Sequence, residues 1–485
     1  MRPTVPPTRA LAIAMLLVGL AVTAWCAPGA WSRATYGARV TADEPQYLLT
    51  ALSLGEDASL DISDERFESR YRDFHEVALP VQELRRPDGT RVSPHDPLLP
   101  ALLAPAMVLG GWLAAKLLLA LLAGALAGAI LWVAVRRFAV RLRVAVLTVL
   151  AFGFAAPFAV YSTQVYPELA AALLVTIAVG ALTGPLRRGG LVTLVAALAA
   201  LPWLSVKYAP VVAALGAVAL WRLWQRGDRR TVLALGGALA LGGVVLLVLH
   251  QVWYGGWTPY AAGSHFGDGE LTVAGADPDY LGRGVRVLGL LVDRGFGLAA
   301  WQPAFLLVVP AVAALVARRP RGWGALAVPL AVGWLNASFV ALTMHGWWWP
   351  GRQLVVVLPC AVLAIAWWAT RVRAGEVLVM VGLALGALTF AWLTADVLTG
   401  HMTLIFDFER TTNPLVRAWR EVLPDGRLVP AGTDLLRVAW LLTVAGLAAW
   451  GVRTVRRPTV ATTPLVAPIP ISVPDQISNP KGSLV

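Results

Sequence analysis

Apolar runs of about 20 residues recur from one end of this chain to the other, and no other feature restricts its fold as strongly. A run of that length is what an α-helix needs to cross a hydrocarbon core about 30 Å thick. Leu, Ala, Val and Gly fill the runs. No series of ten-residue segments with alternating polarity appears, which argues against a β-barrel. Only 14% of the residues are charged and 58% are hydrophobic, whereas a soluble domain carries about 25% charged residues. The expected fold class is an all-α polytopic membrane protein. The net charge of +12 does not point to nucleic acid. The arginines stand in small clusters between apolar runs and not on one soluble face. Cys26 and Cys360 fall in or beside apolar helices and indicate neither a disulfide framework nor a metal site. With so many spans behind it, the first run, 11–27, reads as an uncleaved helix and not as a signal peptide.

About twelve spans are expected, near 10–28, 112–135, 144–162, 168–185, 190–206, 209–224, 232–252, 298–317, 323–343, 353–370, 376–396 and 434–452. Basic clusters then fall at alternate helix ends: Arg2 and Arg9, Arg136 to Arg143, Arg187 and Arg188, Arg222 to Arg230, Arg318 to Arg321, Arg371 and Arg373, and Arg453 to Arg457. The positive-inside rule makes that side cytoplasmic and places both termini inside. Most acidic residues fall on the opposite side, in polar segments near 29–97, 253–297, 344–352 and 397–433. The expected organisation is a transmembrane domain over 1–457 followed by a disordered cytoplasmic tail over 458–485, which has no apolar period. The first extracytoplasmic loop with its surface helices covers 29–111, and further outer loops cover 253–297 and 397–433. Residues 98–111 are apolar but too short to span. Counting them would flip every later loop, so they are read as a helix at the membrane surface or part-way into it.

The first outer loop opens with ADEPQYLLTALSLGEDASLDI. Pro45 suits the first turn of a helix. The run from Gln46 to Leu54 puts Leu48, Leu49, Leu52 and Tyr47 on one side, as an amphipathic surface helix would. Asp43 and Glu44 stand at its N-terminus, where the helix dipole favours an anion. The structural reading makes Asp43 an N-cap with Glu44 in the first turn. The chemical reading makes Asp43 a general base at the water–lipid boundary. The two are compatible.

This order, a first span followed by Asp-Glu in a long outer loop with surface helices, resembles the GT-C superfamily of membrane glycosyltransferases. That group includes the protein O-mannosyltransferases and the bacterial lipid A aminoarabinose transferase. The resemblance is strongest in DEPQYLL. It continues through HDPLLPALLAPAMVLGG, YSTQVYPELAAALL, DRGFGLAAWQPAFLL and GWWWPGRQLVVVLP. It implies a GT-C-like fold, a polyprenyl-phosphate-linked sugar donor held in the lipid bilayer, and a glycan, lipid or protein acceptor met on the outer face of the cell membrane. It also implies that Asp43 deprotonates the acceptor hydroxyl, that Glu44 orients Asp43 or binds acceptor, and that no metal or other cofactor is needed.

Other positions carry paired readings. Glu168, after Tyr166-Pro167, is either a helix N-terminal charge or a second acid facing the same cavity. His95 and Asp96 either start a helix through an Asp-Pro turn or form a polar pair near the sugar; the related enzymes more often show His-Pro-Pro, so Asp96 is a departure. Lys207 and Lys116 either snorkel to the outer interface or bind the donor phosphate as point charges. Arg352, after three tryptophans, belongs either to an interfacial aromatic belt or to a bidentate phosphate site, with His345 assisting. Neither a Gly-rich nucleotide loop nor a His-Glu-x-x-His zinc pattern is present. The leading expectation is an inverting glycosyltransferase that uses a lipid-phosphate sugar, either a hexosyl- or a pentosyltransferase. The alternative is a multi-span lipid or glycan transporter. It is disfavoured because polar residues gather at the outer face and not at mid-span.

Overall fold

The computed structural model describes residues 7–266, 269, 270, 274, 275, 277–426 and 431–456. The expected tail over 458–485 lies outside the described residues, as do parts of the outer loops near 270 and 430. Among the described residues the only β-structure consists of isolated bridges; everything else regular is helical.

Six helical segments are long and apolar enough to cross a membrane by length and composition: Thr8–Trp31, Leu98–Phe138, Val206–Trp224, Arg229–Ala262, Arg373–Leu398 and Leu435–Val455. Six shorter apolar helices accompany them: Leu142–Gly153, Glu168–Thr183, Arg188–Leu204, Pro303–Arg318, Gly324–Val340 and Leu358–Ala369. Each of the twelve expected spans coincides with one of these, but several are not the continuous helices expected. The segment expected over 144–162 stops at Gly153, turns through Pro157 and resumes only over Phe158–Tyr161. The one expected over 298–317 is broken at Gln302-Pro303. Proline cannot donate to the helical ladder and clashes with the preceding turn, so an apolar run containing one need not form a single helix.

Four elements shape the first loop and its base. Helix α1 (Thr8–Cys26) and α2 (Glu44–Glu56) both pack along α4 (Leu98–Phe138), and the short α3 (Ser63–Phe67) lies beside α2. α4 is not one straight rod. Gly111 adopts φ 63°, ψ −160°, a conformation open essentially to glycine alone, and it separates 98–109 from the long apolar stretch after it.

α2 departs from the expected amphipathic surface helix. Every residue from Glu44 to Ser53 is buried, its polar ones included. α4 covers one side and the rest of the loop covers the other. The polar side chains bury with partners: Gln46 Nε2 donates to Glu83 Oε2 at 3.2 Å, Thr50 Oγ donates to the Gln46 carbonyl at 2.9 Å, and Ser53 Oγ donates to the Asp61 carbonyl at 2.6 Å. Burial of polar groups is tolerated when they are hydrogen-bonded. The loop is therefore a folded cap over α2, braced by Glu83, which also pairs with Arg66 at 2.9 Å and Arg91 at 3.3 Å.

At the opposite end of the helices, Arg136, Arg137, Arg187, Arg226 and Arg321 line one cavity of about 510 Å³. Arginines from four separate connections thus share one side, as the charge pattern requires.

Candidate active site

The N-terminal end of α2, the start of the helix Glu168–Thr183, the junction at Lys207 and the turn at Arg352 meet at one point. Arg352 is the hub. Its Nη2 lies 2.7 Å from Asp43 Oδ2 and its Nε 2.9 Å from Glu168 Oε1. Lys207 Nζ lies 2.6 Å from the same Glu168 oxygen. Two carboxylates and two cations, separated by up to 309 residues in sequence, form one continuous network. Their formal charges cancel. Arg352 also stacks on aromatic rings, 3.9 Å above Tyr166 and 5.2 Å from Trp348. Such stacking suits a planar guanidinium and fixes its orientation.

Each partner is held by backbone geometry that its sequence explains. Gly351, at φ 84°, turns the chain into the 3₁₀ segment Arg352–Leu354. Pro167 precedes Glu168 at the helix start. Asp43 occupies the N-cap position of α2, but its side chain makes no capping bond; it reaches across to Arg352. The capping role expected of Asp43 is therefore absent. An arginine within hydrogen-bond reach is a stronger partner for a carboxylate than a neutral N–H.

The side chains differ in access. Glu168 and Arg352 are almost closed off, at 1% and 7% side-chain exposure, whereas Asp43 and Lys207 keep 26% and 23%. The groups open to an incoming molecule are thus one carboxylate and one amine. Burial alone would push the Asp43 carboxyl up, but the adjacent Arg352 guanidinium overrides it and holds the group down at about 2. Glu168 Oε2 is buried with no hydrogen-bond partner. Arg352 Nη1 makes no hydrogen bond among the described residues, since Nε and Nη2 serve Glu168 and Asp43.

The remaining candidates surround this group in different ways. Glu44 faces inward: its two oxygens accept from the Val165 N–H at 2.7 Å and the Thr41 N–H at 2.9 Å. Burial pushes its carboxyl up, against the opposing charge of Lys116. Glu44 thereby ties α2 to the loop that leads into Tyr166 and Glu168. Asp96 does not face the Asp43 group. Its Oδ2 accepts from the Val206 N–H at 3.0 Å and its Oδ1 lies 3.2 Å from His250 Nε2, so it fixes the backbone one residue before Lys207. Burial raises the Asp96 carboxyl against the pull of His250. His95 stacks on Tyr47, with ring centroids 4.6 Å apart, and meets Gln82 Oε1 at 3.3 Å. Burial pushes its imidazole down to about 4.

Lys116 does not join the network. Its Nζ donates to the Arg39 carbonyl at 2.8 Å and lies over the Trp112 ring. His345 is also elsewhere, edge-on to Phe296 in the wall of a cavity of about 720 Å³ shared with Asp293 and Met344. Sequence reasoning did not single out Tyr166 or His250. Tyr166 adjoins Pro167-Glu168, so its place beside a candidate acid was a usable signal. Nothing near His250 in the sequence distinguishes it from a residue of an apolar helix.

No family model matches the chain, and no curated protein matches it. Among solved structures, the crystal structure of ArnT from Cupriavidus metallidurans bound to undecaprenyl phosphate is similar over 93% of this chain and 74% of that one, with a TM-score of 0.52 and 16% identity. The chain has the GT-C fold. It is a helical membrane protein of that architecture, and within it the Asp43 network stands at the junction of the first loop with the helices that follow.

Proposed function

We propose that this GT-C-fold protein is an inverting glycosyltransferase that moves a sugar from a polyprenyl-phosphate donor to an acceptor hydroxyl at the extracytoplasmic face of the membrane. The observation that carries the reading is the Asp43–Arg352–Glu168–Lys207 network: a partly exposed carboxylate beside two fixed cations. An inverting transfer from a phosphate-linked donor needs a base for the acceptor proton and positive charge for the departing phosphate. The fold shared with a protein that was crystallised with undecaprenyl phosphate supports a lipid-phosphate donor over a nucleotide sugar.

In this reading the donor phosphate docks on Arg352 Nη1 and Lys207 Nζ, the N–H groups that the carboxylates leave uncommitted. The phosphate competes with Asp43 for the guanidinium. As Arg352 turns toward the phosphate, the Asp43 carboxylate loses the contact that keeps it so weakly basic. The acceptor oxygen attacks the anomeric carbon from the face opposite the phosphate. Its proton passes to Asp43, and the electron pair of the breaking carbon–oxygen bond leaves on the phosphate. Glu168, closed off from the incoming molecules, keeps the two cations together. Glu44 and Asp96 position α2 and the Lys207 segment without touching substrate.

The test supplies purified protein in liposomes with polyprenyl-phosphate sugars on one side and nucleotide sugars on the other, together with a glycolipid whose free hydroxyls serve as acceptor. Release of free polyprenyl phosphate, with inversion at the anomeric carbon, is expected. Turnover of a nucleotide sugar without lipid, or retention of configuration, would overturn the proposal.

A further inference from the structure

We infer that Asp57, Asp64 and Glu65 form a site for a hard divalent cation of the Ca²⁺ type, which fastens the C-terminal end of α2 to α3. One carboxylate oxygen from each residue lies within 4.8 Å of the other two. Asp57 and Asp64 are exposed, which leaves room for water ligands, but Glu65 is only 2% exposed. Apart from the contact with Asp64, neither Glu65 oxygen has a hydrogen-bond partner. A buried, uncompensated carboxylate is costly and is normally paired or bound to a metal. Neither Arg66 nor Arg70 forms an ion pair with Glu65: Arg66 pairs with Glu83, and Arg70 with Glu56 and Glu68.

The backbone adds to the demand. Asp57 is the C-cap of α2, at the negative end of the helix dipole, where a further anion is unfavourable and a cation is favoured. Ala58, just after it, adopts φ 53°, so the chain takes a left-handed step there without a glycine. All three protein ligands are oxygens, which selects Ca²⁺ or Mg²⁺ over zinc. The irregular arrangement of two exposed and one buried carboxylate fits Ca²⁺, which tolerates variable geometry, better than Mg²⁺, which demands a near-ideal octahedron. The site stands at the far end of the helix that begins at Asp43, so it bears on the stability of the loop and not on the transfer step.

The experiment titrates Ca²⁺ into the EGTA-treated full-length protein in detergent by calorimetry, and follows thermal unfolding with Ca²⁺, Mg²⁺ or EGTA. Binding is expected with a dissociation constant of about 10⁻⁴–10⁻³ M, the range of extracellular Ca²⁺ modules, and with an upward shift of the unfolding temperature that Mg²⁺ does not reproduce. Glu65→Gln and Asp57→Asn should each weaken Ca²⁺ binding at least about tenfold. In EGTA the Glu65→Gln protein should be no less stable than wild type, because the amide ends the close contact of two carboxyl groups without a cation between them. Wild-type protein without Ca²⁺ heat or thermal shift would overturn the inference, as would an affinity that neither substitution changes. A proton shared between Glu65 and Asp64 would give the first of these results. Neither readout uses sugar transfer.

Discussion

Replacing Arg352 by lysine keeps one positive charge and removes the fork. Arg352 reaches two carboxylates at 2.7 and 2.9 Å through different nitrogens while its guanidinium lies 3.9 Å from the Tyr166 ring. A lysine amine is a compact charge that cannot hold both carboxylates and still face a phosphate. The substitution therefore forfeits about one charge-assisted hydrogen bond, worth about 1.5–3 kcal/mol, and part of a cation–π contact of about 0.5–2 kcal/mol. A loss of about 2–4 kcal/mol in the transition state corresponds to about 30- to 1000-fold in kcat/KM. The assay is single-turnover release of polyprenyl phosphate from a defined lipid-linked sugar, with thermal unfolding run in parallel. Because the charge is kept, Arg352→Lys should lower the unfolding temperature less than loss of the charge does. Arg352→Met, in contrast, strands Asp43 and Glu168 and should cost about 3–5 kcal/mol of stability. Combining Arg352→Lys with Asp43→Asn should give a loss smaller than the sum of the two, since the residues act as one unit. An Arg352→Lys enzyme within threefold of wild type would refute the claim that the fork holds the donor phosphate.

Further predictions follow from the same geometry. Glu168→Gln leaves Arg352 and Lys207 without a shared anion, so it should lower the unfolding temperature; unchanged stability would contradict the bridging role. Lys116→Met removes a bond to the Arg39 carbonyl and not to the network, so it should change stability while leaving the KM for donor within about twofold of wild type, less than the tenfold that about 1.4 kcal/mol represents. His95 titrates near 4 in the fold and near 6.5 in the unfolded chain. Its contribution is thus complete above pH 6.5 and is lost as the pH falls toward 4, by about 3 kcal/mol at most and less because the ring is partly exposed. His95→Asn should flatten the stability profile over that interval, and a wild-type profile already flat there would contradict the assignment.

The sequence carried the architecture well because membrane crossing is written in composition. A helix in lipid must satisfy its backbone internally and present apolar side chains, and both demands are local. What was not legible locally was the folding of the first loop. Tyr47, Leu48, Leu49 and Leu52 read as one apolar face, yet Gln46, Thr50 and Ser53 are buried as well: Thr50 bonds back to its own helix, while Glu83 and the Asp61 carbonyl come from elsewhere in the loop to satisfy Gln46 and Ser53. Asp43 illustrates the same limit. Its position before Pro45 favours a cap, and only the turn at Gly351, 308 residues away, supplies the arginine that takes its side chain instead. Lys116 and Lys207 were indistinguishable as isolated lysines at helix ends. Asp96 and Val206 separate them, by fixing the junction that aims Lys207 at Glu168.

The central claim is that Asp43 accepts the acceptor proton during sugar transfer. The most direct measurement is the transfer rate of Asp43→Asn protein in proteoliposomes with saturating radiolabelled lipid-linked sugar, alongside donor binding by the same preparation. A positioned general base contributes about 10²–10⁴-fold, so transfer should fall by that factor while donor binding is retained or tightened, because Arg352 no longer has a carboxylate to release. Transfer by Asp43→Asn at the wild-type rate would contradict the account.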